Sequence, residues 1–481
     1  MSDEPNRHKP HTGALSLALV YPAPEREALS SLAIYRLDEL ARRAGINCCE
    51  RFFLNQAPCP RSCESGRRLS DFDLIAFSVS AEEQWPAVPW MLRASGIEPR
   101  AQTRSFPLVL LGGFSLRLNP LPLSPFADAI VQGDAEPVFD ELLLAAAQGG
   151  AIEQIRHRFS QINGVWVPLL QPQPPAPLFY QGQEPALQTR KAEQGVFSRM
   201  LLVETGRGCP VRCRFCAVGH SRPAHFFPAQ TVLERLQQQN RENLALGLVG
   251  ASFCWHPQLE ELLGTAGYAD LGLASLDARR LSSPAGQPVL EAIARCRLRT
   301  ATLAPEAGSE AIRRALGKPL SDLQLHSAID LLLANGVFNI KLYFMYGLPH
   351  EEQKDLEAMV ELSFRVREQM TRSQARSGKT GRLSLSVNPW VPKPTTPWDR
   401  LPMCPLNELK EKWRFLQKKL NALGGVDLQG TSPRSARLQY LLDHAGADAA
   451  AWLEKCAGRF PPSAALVREL EEAANGNLKI S

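Results

Sequence analysis

Twice along this chain, apolar runs of strand length alternate with amphipathic helical patterns, and a proline-rich stretch, Gln171 to Pro177, separates the two series. Strands that alternate with helices imply parallel sheets, so the fold class is α/β. In the first series Leu15–Tyr21, Phe72–Ser78, Pro107–Leu111 and Asp128–Val131 read as strands. Ala28 to Ala44 reads as an amphipathic helix, with Leu29, Leu32, Ile34, Leu37 and Leu40 among its apolar positions. The pair Gly112-Gly113 follows a strand, as a close-approach turn requires. In the second series the expected strands are 200–204, 245–250, 271–275, 300–304, 339–346 and 383–389. The expected helices are 229–240, 257–264, 287–296, 308–316, 321–335 and 353–370. Six such units fit a (β/α)6 partial barrel. The expected division is a disordered tail over 1–13, a Rossmann-like domain over 14–150, a proline-rich linker over 151–197, the partial barrel over 198–400 and a short helical region over 401–481. The polar, basic stretch Thr371–Arg382 reads as a mobile loop.

The first strand of the second series, Met200 to Glu204, leads into Gly206-Arg-Gly-Cys-Pro-Val-Arg-Cys-Arg-Phe-Cys216. Cys209, Cys213 and Cys216 therefore have the spacing C-x3-C-x2-C on a loop that leaves a strand, where α/β folds carry their sites. Three thiolates can hold three irons of a [4Fe–4S] cluster. The fourth iron then keeps an open coordination position, where a metal does chemistry. The other readings are a zinc site or three ordinary thiols. Structural zinc takes four ligands, commonly as two close pairs, and no fourth cysteine lies nearby. The chain has 11 cysteines and begins with a polar, charged stretch unlike a signal peptide. A disulfide framework is therefore not expected, and a cytoplasmic setting is. The net charge of +5 is small for 481 residues and does not argue for nucleic acid, which stays an open partner class. No apolar stretch approaches the ~18 residues that span a bilayer.

The cysteine run, with Phe215 at the aromatic position, resembles the radical SAM superfamily. Its hallmark is C-x3-C-x-aromatic-C after the first strand of a partial barrel. The resemblance implies that Cys209, Cys213 and Cys216 hold a [4Fe–4S] cluster and that S-adenosylmethionine chelates the open iron. It also implies reductive cleavage of that ligand to a 5′-deoxyadenosyl radical, with electrons from a reductase such as flavodoxin or ferredoxin. Arg207, Arg212 and Arg214 flank the loop and could favour anionic groups of a ligand.

The strand ends supply the remaining candidates, since ligands of such barrels sit at the C-terminal ends of the strands. Gly250-Ala251-Ser252 stands where the family often has a glycine-glycine-glutamate-like segment, without the glutamate. Gly250 and Ser252 still allow close backbone approach. Ser275 follows the third strand at a position that often meets the ribose or the carboxylate. Glu306, at the end of the fourth strand, could bind the ribose hydroxyls or the amino group, and Arg313 could pair with the ligand carboxylate or with Glu310. Gly347-Leu-Pro-His-Glu351 resembles the segment whose backbone passes the adenine. The catalytic residues and the substrate are not named by the sequence.

The N-terminal domain resembles the cobalamin-binding domain that precedes this barrel in one large subgroup, through Leu17–Tyr21, Ser78, Ser80, Gly112-Gly113 and Val131–Glu136. Where that domain places a cobalt-ligating histidine, this chain has Pro22–Glu27, with no histidine. This leaves room for cobalamin without a lower protein ligand, or for a domain that has the fold and binds no corrin. With cobalamin the outcome would be methyl transfer to an unactivated carbon. Alternatives are a methylthiotransferase-like modification of RNA or protein, with Cys48, Cys49, Cys59 and Cys63 holding a second cluster, and a non-catalytic iron–sulfur or corrinoid carrier.

Overall fold

The computed structural model describes residues 15–54, 59–189, 195–197, 200–239, 245–264, 270–456, 466 and 469. The expected tail over 1–13 lies outside the described residues. The chain divides into two compact units, Met1–Gly182 with Ala192–Ser198 and Leu441–Ser481, and Gln183–Lys191 with Arg199–Tyr440.

The first unit is built on a six-stranded sheet. Its strands are β1 (Ser16–Pro24), β2 (Cys48–Leu54), β3 (Leu74–Ser78), β4 (Leu108–Gly112), β5 (Ala129–Val131) and β6 (Val165–Trp166). Their order is β2-β1-β3-β4-β5-β6, parallel except for the last pair. Helices cover both faces, so the central strands are apolar along their whole length: β3 is buried at every residue. One face packs Leu17, Leu19 and Leu110 against Ile34 and Leu40 of the helix Leu32–Arg43 and Leu142 of the helix Phe139–Ala147. The stretch expected as a linker from 151 contains the helix Ile152–Ser160 and the edge strand β6. Buried Ile155 and Phe159 tie that helix to the core, which is why it folds with the sheet. The segment from Leu441 joins the same unit, where Asn119 donates to the carbonyls of Leu442, Asp443 and Ala445.

The second unit contains β7 (Met200–Glu204), β8 (Gly206–Arg207), β9 (His225–Phe226), β10 (Ala245–Val249), β11 (Leu271–Leu273), β12 (Thr300–Glu306), β13 (Asn339–Tyr346), β14 (Leu383–Pro389) and β15 (Val426–Gln429). Two parallel sheets, β11-β10-β7 and β12-β13-β14-β15, are joined by the single bridges Asp270–Arg297 and Leu276–Leu303. The result is the expected α/β partial barrel of six strand–helix units. The region after 401 is mainly helical and also adds β15 beside β14. The stretch Thr371–Arg382 is not a loop throughout: the helix Gln353–Ser377 runs well into it, ending at Gly378 with φ 67°. Met359, Leu362, Val366 and Met370 keep one face of that helix buried, which overrides its polar composition. Among the described residues no helix is long and apolar enough to cross a membrane.

Candidate functional site

The short antiparallel pair β8–β9 holds both ends of the cysteine loop, pairing Gly206 with Phe226 and Arg207 with His225. The loop between is drawn tight by glycines. Gly208 has φ 70°, and a Cβ there would stand 2.7 Å from the Pro223 carbonyl oxygen. A Cβ on Gly219 would stand 2.9 Å from the Arg212 Cα. Within the loop, the Cys216 amide donates to the Cys213 carbonyl at 3.1 Å, and His220 Nε2 bonds the same oxygen at 3.0 Å. Cys209, Cys213 and Cys216 are all half-buried and free of disulfides. Burial pushes the Cys213 thiol up to about 11, with Lys318 opposing the shift. Burial raises Cys216 as well, while the Val218 and Gly219 amides favour its thiolate. The donor set suits a thiophilic metal group: three thiols whose charges couple, on one loop, with amides aimed at sulfur. Among the described residues no three metal-ligating side chains stand as a closed cage. Metal sites of this kind are completed as the metal binds.

The end of β12 turns toward this loop. Glu306 has φ 71°, a conformation that a residue with a side chain adopts at a cost. Its carboxylate accepts from Lys318 Nζ at 2.9 Å, and the two side chains are 14% and 16% exposed. The Arg214 amide donates to the Leu316 carbonyl at 2.9 Å, and Gly317 packs against Arg214 and Cys213. This fixes Lys318 beside the cysteines. Burial opposes its charge, but Glu306, Cys213 and Asp277 more than compensate, and its pKa rises.

Asp277 follows β11. It caps the helix Ala278–Leu281 through the Arg279 amide and accepts from the Arg279 side chain at 2.6 Å and from Trp255 Nε1 at 3.0 Å. Those bonds hold its carboxyl below the usual range despite burial. Ser252 is buried, with its hydroxyl 3.4 Å from the Gly208 carbonyl. A Cβ on Gly250 would stand 2.6 Å from Thr205 Oγ1, so its close approach is to the chain itself. Ser275 is exposed. Phe215 packs against the cluster of Ile312, Leu316, Leu348, Trp390 and Trp398. Gly347, with φ 71°, donates its amide to Glu351 at 2.7 Å; burial raises the Glu351 pKa while Lys412 holds its carboxylate at 3.1 Å.

Arg313 is fully buried and pairs with Asp322, not with Glu310, because Glu310 is taken by the Asp322 amide at 2.8 Å. Arg207 is not available to an anion, since it pairs with Glu204 at 2.7 Å; Arg212 and Arg214 are exposed.

Two family models match the chain. One, described as Radical SAM proteins, N-terminal, matches residues 39–168, and the Radical SAM superfamily model matches residues 203–363. The chain belongs to the radical SAM superfamily. Membership makes it an enzyme of that class, whose cofactors are a [4Fe–4S] cluster and S-adenosylmethionine and whose electrons come from a reductase. Among curated proteins it is similar to the uncharacterized protein MJ0966 of Methanocaldococcus jannaschii, 24% identical over 417 residues, covering 85% of this chain and 84% of that one. Among solved structures it is similar to the cobalamin-dependent S-adenosylmethionine radical enzyme OxsB. With aqua-cobalamin and S-adenosylmethionine bound, the TM-score is 0.55 at 14% identity, covering 89% of this chain and 66% of that one. With aqua-cobalamin alone it is 0.53 at 15%, covering 76% and 56%. The chain thus spans less than two thirds of the OxsB chain, and at this identity the likeness is one of fold.

In the first unit the strand order 2-1-3-4-5 puts the reversal between β1 and β3, where such sheets bind ligands. Here the chain fills much of that edge itself. Tyr21 donates to Ser80 Oγ at 3.2 Å. A Cβ on Gly113 would meet the Val79 carbonyl at 2.2 Å, and one on Gly133 would meet the Leu178 carbonyl at 1.8 Å. The segment Leu178–Tyr180 is held there by the Asp134 amide and carboxylate at 2.8 and 3.0 Å. Neither glycine is an open cradle for a corrin, and Pro22–Glu27 offers cobalt no imidazole. Nor do Cys48 and Cys49 resemble a cluster set: adjacent on β2, they point to opposite faces, and Cys49 is buried.

Lys318 and Asp277 were not singled out by sequence. Lys318 follows Gly317 two residues after a helix end and looks like a C-terminal helix cation. Asp277 is two residues past Ser275, and only the N-cap pattern Asp277-Ala-Arg marks it.

Proposed function

We propose that Cys209, Cys213 and Cys216 hold the [4Fe–4S] cluster and that the chain reductively cleaves S-adenosylmethionine, then abstracts hydrogen from a substrate. When bound, the cluster supplies the electron that breaks the sulfonium bond. The observation that carries the reading is the Glu306–Lys318 pair beside the cysteine loop. An amino-acid ligand presents an ammonium and a carboxylate. A buried carboxylate and a buried ammonium on the protein can exchange partners with it, so neither charge is left unpaired. Glu306 takes the ligand ammonium in place of the missing glutamate after β10. Lys318 turns to the ligand carboxylate, with Arg279 and Asp277 holding the charge balance behind it. Phe215, packed on Trp390 and Trp398, keeps one side of the site dry.

We assign cobalamin no residue of this chain: Gly113 and Gly133 pack against the chain's own backbone, and Pro22–Glu27 offers cobalt no imidazole. The methylthiotransferase and carrier readings gain no supporting observation.

The test is anaerobic iron–sulfur reconstitution of the full chain. About four irons per chain are expected, with none after joint replacement of Cys209, Cys213 and Cys216 by alanine. Adding S-adenosylmethionine to the reduced protein should change the cluster's EPR spectrum. A triple variant that keeps the full iron content would overturn the assignment.

A further inference from the structure

The second unit's barrel has two unlike inner walls. On β13 the residues Ile340, Leu342, Phe344 and Tyr346 are buried, and Tyr346 stacks on Trp413 of the helix Leu406–Asn421. Those side chains face the helices. The alternate set, Lys341, Tyr343 and Met345, is half-buried and faces inward. The same alternation on β12 and β14 turns Thr302, Ser384, Ser386 and Asn388 inward. Register aligns them in rows: Thr302, Lys341, Ser384 and Asp427 in one, Tyr343, Ser386 and Gln429 in the next. The opposite wall is apolar and small. Met200 and Leu202 of β7 lean over Gly247 and Gly272, where a Cβ would stand 2.5 Å from Leu202 and 2.8 Å from Met200.

Two donors of the polar wall have no acceptor among the described residues. Lys341 forms no ion pair or hydrogen bond among the described residues, and its ammonium lies 5.1 Å from the centre of the Tyr343 ring. Its stem therefore rises along the strand toward the open end. The Tyr343 hydroxyl likewise has no hydrogen-bond partner among the described residues. Ser386 accepts from Asn388 at 3.2 Å, so its own proton is free to be donated outward. Glu306 is engaged by Lys318, and Asp427 stands two strands away from Lys341 in the same row, accepting from Gln429 at 3.1 Å. A wall of donors calls for a ligand rich in acceptors.

We propose that the barrel chamber binds a small substrate carrying an oxyanion, a carboxylate or a phosphate, read by Lys341, Tyr343 and Ser386. This rests on the reading of the strand ends as the site of S-adenosylmethionine cleavage. The tip of Lys341 lies about one strand step of two residues, roughly 7 Å, below the rim formed by Met345 and Asn388. The reacting carbon is thus separated from the oxyanion by a few bonds, and the apolar wall of Met200 and Leu202 packs its carbon skeleton.

The experiment uses the full, reconstituted chain under anaerobic conditions, titrated calorimetrically with inorganic phosphate in one arm and succinate in the other. One of the two binds at one site per chain, and which one does so distinguishes the sources of the oxyanion. Lys341→Met weakens that binding about ten-fold or more, the size of a lost charge-assisted hydrogen bond, with iron content unchanged. Lys341→Arg restores it to within a few-fold. Tyr343→Phe weakens it by a smaller factor and serves if Lys341→Met fails to fold. Binding of neither anion, or equal binding by wild type, Lys341→Met and Tyr343→Phe, overturns the proposal. Wild-type protein that binds the anion but yields no 5′-deoxyadenosine overturns the cleavage reading instead, so the two failures are separable.

Discussion

Removing Lys318 tests whether the pair with Glu306 organises the end of β12. At 2.9 Å and an effective dielectric constant of about 20, the attraction is about 6 kcal/mol. Desolvation of the two buried groups returns much of it. Lys318→Met leaves Glu306 buried without a cation, and breaking a buried pair from one side costs about 3–5 kcal/mol. Lys318→Met should therefore destabilise β12 by about 3–5 kcal/mol. Adding Glu306→Gln removes the stranded charge, so the double variant should be more stable at pH 7 than Lys318→Met alone. Native-state hydrogen exchange of the β12 amides reads these local opening energies. Additive effects in the four-variant cycle would refute the coupling.

Three further outcomes are expected. Glu306→Gln keeps the iron, because no thiolate is touched, and weakens S-adenosylmethionine binding by about 1–3 kcal/mol in anaerobic calorimetry; unchanged affinity removes Glu306 from the site. The depressed Asp277 pKa means that the unfolded chain takes up a proton before the folded chain does. Its stabilisation is full above the usual carboxylate pKa and is lost as pH falls through the lower folded value; Asp277→Asn should flatten that part of the acid-unfolding curve followed by tryptophan fluorescence. Any cobalamin taken up by the protein should show no nitrogen superhyperfine splitting from a protein ligand in the EPR spectrum of its Co(II) form, since Pro22–Glu27 has no imidazole.

Much of the barrel was legible because its strands are either a short apolar run, as in Met200–Glu204, or carry a two-residue period with one face buried, as in Asn339–Tyr346 and Leu383–Pro389. Met200–Glu204, Asn339–Tyr346 and Leu383–Pro389 coincide with the expected spans. The strand Cys48–Leu54 was not read, because Glu50 and Arg51 interrupt its pattern at a sheet edge, where one side needs no apolar partner. The end of the helix Gln353–Ser377 was hidden for a related reason: only a narrow stripe of it is apolar. The cysteine loop announced itself through spacing. Lys318 did not, since its meaning comes from a turn that carries it back to Glu306 and Cys213 across 12 and 105 residues of chain. Arg313 misled because a strand-end helix can turn an arginine inward as readily as toward a ligand. Here Asp322 holds it there.

The most direct measurement is the yield of 5′-deoxyadenosine when the anaerobically reconstituted protein is incubated with dithionite and S-adenosylmethionine. The account predicts product that requires both reductant and cluster and that disappears in the Cys209, Cys213 and Cys216 alanine variant. A fully loaded cluster that yields no 5′-deoxyadenosine, or equal yield from the variant, would contradict it.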